Sequence, residues 1–464
     1  MQEEPDWIAT EFEHVDLQDK RRNARLRRLA RKLAAQPSAS LPQACERYAD
    51  LRAAYRFFDN SAVTAEAIQQ GHVQATRKRC ADVPVVLAVQ DTSLIDFSKH
   101  PCTTGLGPLA TKEGRGFFVH STIAVTPERL MLGVLDQQTW VRDGETYSEL
   151  PEPKKRPLEE KESYCWVKSL QALDPAAQAA PKTIFVSVAD READLYDLLV
   201  HPRRSNVQFL VRASQDRRIE GDHKYLWTAM QQAPARFTIQ ASVPARHGYS
   251  AREACLTVRY RTLTLRPPQH RTKEALALVS VQVVWAHEED PPPGQEPIAW
   301  MLLTTLPVQS DAQAEEILGY YACRWQIELY HKVLKSGCRV EAKQLESGDQ
   351  LIRCFSLYAV VAWRILYATM LSRSLPEAAC TVLLSSEEWQ ALYCHLHETC
   401  VLPVEVPALR TAVRWIGRLG GFLARPHDGE PGVTVMWRGF QRLMDIAHMY
   451  KVMTLPQNKK CGKR

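Results

Sequence analysis

The sequence predicts an α/β protein whose catalytic-type core carries an inserted β-rich segment and is flanked by helical N-terminal and C-terminal domains. Three observations carry this. Two apolar, β-branched runs, Val83–Asp91 and Thr183–Asp190, each end on an aspartate and are separated by a strand hairpin and a loop that leads into a helix. The stretch Tyr320–Glu341, YYACRWQIELYHKVLKSGCRVE, has no Gly or Pro before Gly337 and reads as one helix ended by that glycine. A chain of 464 residues is too long for a single core. The expected divisions are 1–69, 70–371 and 372–464, with the insertion at about 213–315.

Composition narrows the class. Net charge is +6, modest but unevenly placed, which suits a polyanion partner. No continuous apolar run reaches the ~18 residues of a membrane span. The opening MQEEPDWIATEFEHVD is acidic and unlike a signal peptide, so a cytoplasmic protein without a membrane partner is expected. The 12 cysteines are scattered rather than arranged as a disulfide framework. Cys394, His395, His397 and Cys400 lie close together, but their spacing fits structural zinc poorly and core packing is the preferred reading.

The N-terminal part holds the densest charge. Lys20–Lys32, KRRNARLRRLARK, has eight basic residues and no acid. On a helix, Arg21, Arg25 and Arg28 share one face and Leu26, Leu29 and Leu33 another. Arg22 falls on the leucine side, so the helix is expected to begin after it. Such a segment can be a solvated or membrane-surface helix, or it can grip phosphates and guanine edges. Ser38–Gln69 then reads as short helices punctuated by Pro42 and by Asp59-Asn60.

In the core, Val85–Val89 reads as a buried strand, which does not explain the acid that follows, at the strand end where α/β sheets place ligands. Phe117–Val125 and Leu130–Gln138 read as a hairpin against it, and Pro151–Glu162 as a Pro- and charge-rich loop. Thr183–Asp194 repeats the strand-then-aspartate pattern, with Asp194 expected in a helix's first turn. Val207–Arg212 is the next strand. LTVRYRTLTL, ALALVSVQVVW and AWMLLTTL form the insertion's strands, interrupted by an exposed loop at Glu288–Glu296. Cys354–Met370 is a core helix, and Ser372–Pro376 opens the C-terminal helices. The chain ends in a basic tail, NKKCGKR.

Within the Tyr320–Glu341 helix, Tyr321, Arg324, Glu328, Lys332 and Lys335 fall within an arc of roughly 80°, and Tyr320, Cys323, Ile327, Tyr330 and Leu334 within another of roughly the same width. The second face packs. The first is either a solvated face of i,i+4 ion pairs or one carboxylate among cations. The pattern Y-x-x-R-x-x-x-E-x-x-x-K-x-x-K, together with A-Y-R-F in Ala53–Asn60, D-R-E-A-D from Asp190 and R-R-x-x-R at Arg21, Arg22 and Arg25, resembles the DDE transposases of the insertion-sequence-four group.

The resemblance implies a ribonuclease-H-like core with Asp91, Asp190 and Glu328 brought together. Those three would bind two Mg²⁺ or Mn²⁺ ions, with Asp91 bridging them, since hard oxygen ligands select such cations. It also implies phosphate contacts from Tyr321, Arg324, Lys332 and Lys335, and a DNA-proximal Arg212. Arg21, Arg22 and Arg25 would contact the transposon end, and Trp300 would stack on a flipped base. DNA ends and target DNA are the expected partners, with a homodimer in the paired-end complex. Two alternatives remain: a catalytically silent end-binding regulator, and a ribonuclease-H-like nuclease without strand transfer.

Overall fold

The computed structural model describes residues 6–109, 114–143, 156–243 and 250–454. The NKKCGKR tail and the Pro151–Lys155 part of the expected loop lie outside the described residues.

Five helices open the chain: α1 (Trp7–Glu11), α2 (Lys20–Ala35), α3 (Leu41–Cys45), α4 (Tyr48–Asp59) and α5 (Ala65–Ala81). Leu26, Leu29 and Leu33 are buried, as their spacing predicts. The helix nevertheless begins before Arg22, not after it, because Asp19 caps it by accepting from Arg21 N–H at 2.8 Å. Arg22 avoids the leucine layer by folding back to donate to Leu17 O at 3.1 Å.

These helices are fused to the core by buried polar contacts. Arg79 donates to Glu11 at 2.8 and 3.1 Å, and His72 Nδ1 lies 2.5 Å from the same carboxylate. Val134 N–H donates to His72 Nε2 at 3.0 Å, which leaves the ring proton on Nδ1, facing Glu11. Lys343 Nζ donates to Pro37 O and Ala39 O at 3.1 and 2.6 Å and sits 4.5 Å above the Tyr358 ring. Burial pulls this ammonium down to about 8.

The sheet comprises β1 (Val85–Asp96), β2 (Gly107–Pro108), β3 (Arg115–Val125), β4 (Met131–Trp140), β5 (Ile184–Ala189), β6 (Val207–Arg212), β7 (Phe237–Val243), β8 (Arg252–Leu265), β9 (Val279–Glu288) and β10 (Ala299–Thr304). Its order is β2-β3-β1-β5-β6-β10-β9-β8-β7, with β4 paired to β3. β1, β3 and β4 are antiparallel, β5 and β6 run parallel to β1, and β10 returns antiparallel to β6. The inserted strands therefore continue the core sheet and do not make one of their own. Glu288, expected in an exposed loop, ends β9 instead: it is buried and takes a bidentate ion pair from Arg252.

One apolar layer lies on each face. On one side, α6 (Tyr164–Gln171), α7 (Asp174–Ala179), α8 (Tyr196–Val200) and α9 (Leu226–Gln231) cover Val86, Ala88, Phe185 and Phe209. On the other, α10 (Asp311–Ala322), α11 (Trp325–Lys332) and α12 (Gly348–Ser374) cover Leu87, Val89 and Val134. Among the described residues α12 alone is long and apolar enough to cross a membrane, but its apolar stretch is buried inside the protein. The C-terminal helices α13 (Ser386–His397), α14 (Leu409–Leu419) and α15 (Val433–Thr454) pack on its end. There α14 and α15 approach so closely that a Cβ on Gly420 would lie 1.8 Å from Val435 O.

The Tyr320–Gly337 segment is not one helix. At Cys323–Arg324 the bonds shorten to i→i−3, with Arg324 N to Tyr321 O at 3.0 Å and Gln326 N to Cys323 O at 3.0 Å. At Val333–Gly337 they lengthen to a π-turn. Tightening and then loosening rotates the face without breaking the chain direction, and π-turns of this kind gather at functional sites. Tyr320, Cys323, Ile327, Tyr330 and Leu334 still pack as expected.

Candidate active site

The β1–β5 ladder ends at Val89–Val188. Two residues further along each strand, on the same face as those valines, stand Asp91 and Asp190. The pairing stops there because β5 turns into a short 3-10 helix capped by Asp190, which accepts from Glu192 N–H at 2.8 Å. Asp91 Oδ1 accepts from Thr92 N–H at 2.9 Å. From α11, Glu328 faces the same region and accepts from Arg324 Nη2 at 3.0 Å.

Asp91 senses the other two carboxylates. Burial pushes Asp91 up to about 7, the Asp190 carboxylate adds to the rise and Glu328 adds a little more, against the pull of Arg324 and the Thr92 bond. Arg324 is lowered by burial, but Tyr321, Glu328 and Asp91 outweigh this and leave it raised. Among the described residues no three His, Cys, Asp or Glu side chains are drawn together tightly enough to grip a metal ion. The donor chemistry is nonetheless that of a hard divalent cation, whose charge would offset the repulsion that lifts Asp91.

The other residues of the expected cationic face divide. Tyr321 is buried and not presented to solvent. Trp300, half-buried on β10, meets its ring edge-on at 5.3 Å and 67°. Burial raises the Tyr321 phenol, opposed by Arg324 and Arg212 and assisted by Asp190, so these three groups lie near it. Arg212 ends β6 and donates to Ala299 O at 2.8 Å. Lys332 is exposed. Lys335 is half-buried, 3.9 Å from Glu341.

His331 escaped sequence reasoning. It is buried, with Nδ1 4.0 Å from Asp91 Oδ2 and Nε2 3.4 Å from Ser121 Oγ. Its position three residues after Glu328 was the available signal. Asp194 is corrected outright. It is no first-turn helix acid but a fully buried anchor, taking 2.8 Å bonds from Arg217 Nε and Ser214 N–H and a 3.0 Å bond from Gln215 N–H.

Away from the carboxylates, a surface groove runs between α2 and α4. Arg21, Arg22, Arg25, Arg52, Arg56 and Tyr48 line it, and no carboxylate does. Arg25, Arg28 and Lys32 lean on Asp50 at 3.8, 2.8 and 3.5 Å, which orients the basic helix. Tyr48, Arg52 and Arg56 were missed, although their i,i+4 spacing puts them on one ridge.

A guanidinium-lined groove, joined by buried polar contacts to an α/β core in which Asp190 and Glu328 act on a buried Asp91, has the features of a nucleic-acid-handling protein. Family models agree along most of the chain: transposase DNA-binding over residues 4–63, transposase DDE domain over 167–361, and transposase Tn5 dimerisation domain over 360–451. The chain belongs to the Tn5-like DDE transposases. It is a DNA-binding transposase, of the kind that cuts and joins DNA and dimerises. The five groove arginines fall inside the first match. Asp190, Arg212, Trp300, Tyr321, Arg324, Glu328, Lys332 and Lys335 fall inside the DDE match, and Asp91 precedes it.

Proposed function

We propose that this chain performs cut-and-paste transposition, with Asp91, Asp190 and Glu328 as its catalytic carboxylates. The observation that carries the reading is the raised Asp91: a buried carboxylate beside two others is unfavourable alone and favourable beside added positive charge. Two divalent cations, Mg²⁺ or Mn²⁺, held by these three residues would supply charge for the attacking and leaving oxygens of an in-line displacement. The ribonuclease-H-like reading of the core is supported by the strand order and by aspartates at two neighbouring strand ends.

The remaining residues take the roles that membership of the family implies. Arg324 holds Glu328 in place and, with Lys332 and Lys335, binds phosphates beside the scissile bond. Arg21, Arg22, Arg25, Arg52 and Arg56 hold the inverted repeat of the transposon end. Water nicks one strand, and the freed 3′-hydroxyl attacks the opposite strand to form a hairpin. A second water opens the hairpin, and the 3′-hydroxyl joins target DNA. Trp300, backed by the Tyr321 ring and near Arg212, offsets the cost of unstacking a base in the hairpin step. Two protomers pair through the C-terminal helices, so that two ends are cut in one complex. The expected setting is the cytoplasm.

Gel shift and cleavage on one labelled end test the assignment. Asp91→Ala, Asp190→Ala and Glu328→Ala should each abolish nicking while end binding survives. Wild-type cleavage by any of them would remove that residue from the site, and wild-type cleavage in EDTA would remove the cations.

A further inference from the structure

The face of the sheet turned away from Glu328 carries a polar layer within an otherwise apolar core. Gln90, Thr122 and Asp136 form one cross-strand row of β1, β3 and β4, and Thr92, His120 and Gln138 form the next. Helix α6 covers them. Gln138 Nε2 donates to Cys165 O at 3.2 Å and to Ser169 Oγ at 2.9 Å, Ser169 Oγ donates to Asp136 Oδ2 at 3.1 Å, and His120 meets Trp166 edge-on at 4.5 Å.

Gln90, His120 and Thr122 are fully buried. Even so, Gln90 Oε1, His120 Nε2, Thr122 Oγ1 and Gln138 Oε1 have no protein partner. Buried polar atoms left in this way weaken a fold, and aliphatic side chains would fill the same rows more favourably. Packing therefore does not explain the layer.

Gln90 Nε2 donates to Ser187 Oγ on β5 at 2.9 Å, and another chain of contacts leads from the layer towards Asp91. His120 Nδ1 lies 2.8 Å from Thr92 Oγ1, and the Thr92 backbone N–H donates to Asp91 Oδ1. Thr92 stands beyond the last β1–β5 pair, so no strand holds it on that side. Burial, with His331 and Lys168 acting in the same direction, pushes the His120 ring down to about 3, and it stays neutral.

We propose that His120 is a positioning residue: through the Thr92 hydroxyl it fixes the backbone N–H that orients the Asp91 carboxylate. The inference rests on Asp91 being a catalytic carboxylate.

Four substitutions test it. His120→Asn places a polar atom where Nδ1 sits, and His120→Gln places one where Nε2 sits. Thr92→Val deletes the hydroxyl, and Thr92→Ser keeps it. Nicking of a pre-bound end is followed against Mn²⁺ concentration, Mn²⁺ binding without DNA is read by electron paramagnetic resonance, and melting midpoints are recorded. Thr92→Val and His120→Gln should raise both Mn²⁺ midpoints about ten-fold or more. Thr92→Ser and His120→Asn should stay near wild type, and end binding should not change. A wild-type Mn²⁺ midpoint in Thr92→Val, or midpoints that simply follow melting across the set, would overturn the proposal. An Asp91→Asn variant run alongside separates the two claims, since normal nicking by it would instead overturn the site assignment.

Discussion

Neutralising Asp91 should make the metal-free protein more stable. The carboxyl is raised from 3.8 to about 7 by burial and by Asp190. A group with a raised folded-state value carries its proton more tightly when folded. Below pH ~4 both states are protonated and the site costs nothing. As pH rises through about 7 the folded protein must accept the buried charge and loses stability. The full shift corresponds to about 4 kcal/mol. With the side chain 23% exposed, water screens part of this, and about 2–4 kcal/mol is expected. In EDTA, Asp91→Asn should therefore melt several degrees above wild type at pH 8.5, and the gap should close towards pH 4. Mg²⁺ should raise the wild-type midpoint and leave the variant unmoved. Differential scanning fluorimetry across pH, with and without Mg²⁺, reads both effects. A variant no more stable than wild type at pH 8.5, or a gap independent of pH, would refute the argument that burial and the neighbouring carboxylates hold Asp91 raised.

Three further outcomes are expected. Arg22→Ala and Arg52→Ala should each weaken binding to the cognate end and lower the salt slope by about 0.9; unchanged affinity across a salt series would make the groove a solvated surface. Trp300→Ala should stay folded and nick normally but slow hairpin formation, with ~1–3 kcal/mol of stacking lost and largely recovered on an end with an abasic site at the flipped position. A collapsed melting midpoint without abasic rescue would instead make the tryptophan core. Gly420→Ala should pry α14 from α15, and native gels should then show single-end complexes but no paired ones.

Much of the fold around the candidate site was legible because its signals are local. The runs before Asp91 and Asp190 declare buried strands by their β-branched residues, and the strand end is where a reactive carboxylate belongs. The apolar arc of Tyr320, Cys323, Ile327, Tyr330 and Leu334 survived intact. The tightening at Cys323–Arg324 was illegible, since no Gly or Pro marks it and only packing against the sheet selects it. Tyr321 thus moved from an exposed face to a buried one. Asp194 was misread because its partner, Arg217, lies beyond a strand and a turn, and buried ion pairs leave no periodicity. The joining of β10 to β6 is a long-range pairing across the whole insertion, which strand patterning cannot register. The layer around His120 was hidden for the same reason: its rows exist only once three strands lie side by side.

The Glu11–His72–Arg79 contact and the Lys343 grip on Pro37 and Ala39 weld the arginine groove to the sheet that holds the carboxylates. On the proposed reading the protein would act as a ruler: the spacing between the bases held in the groove and the bond cut at the carboxylates would be set by the seating of helices, not by the reach of a tether, and each protomer of a paired complex would carry the same interval. Loosening that seat, as with Lys343→Met, would leave DNA bound and cleaved while scattering the position of the cut.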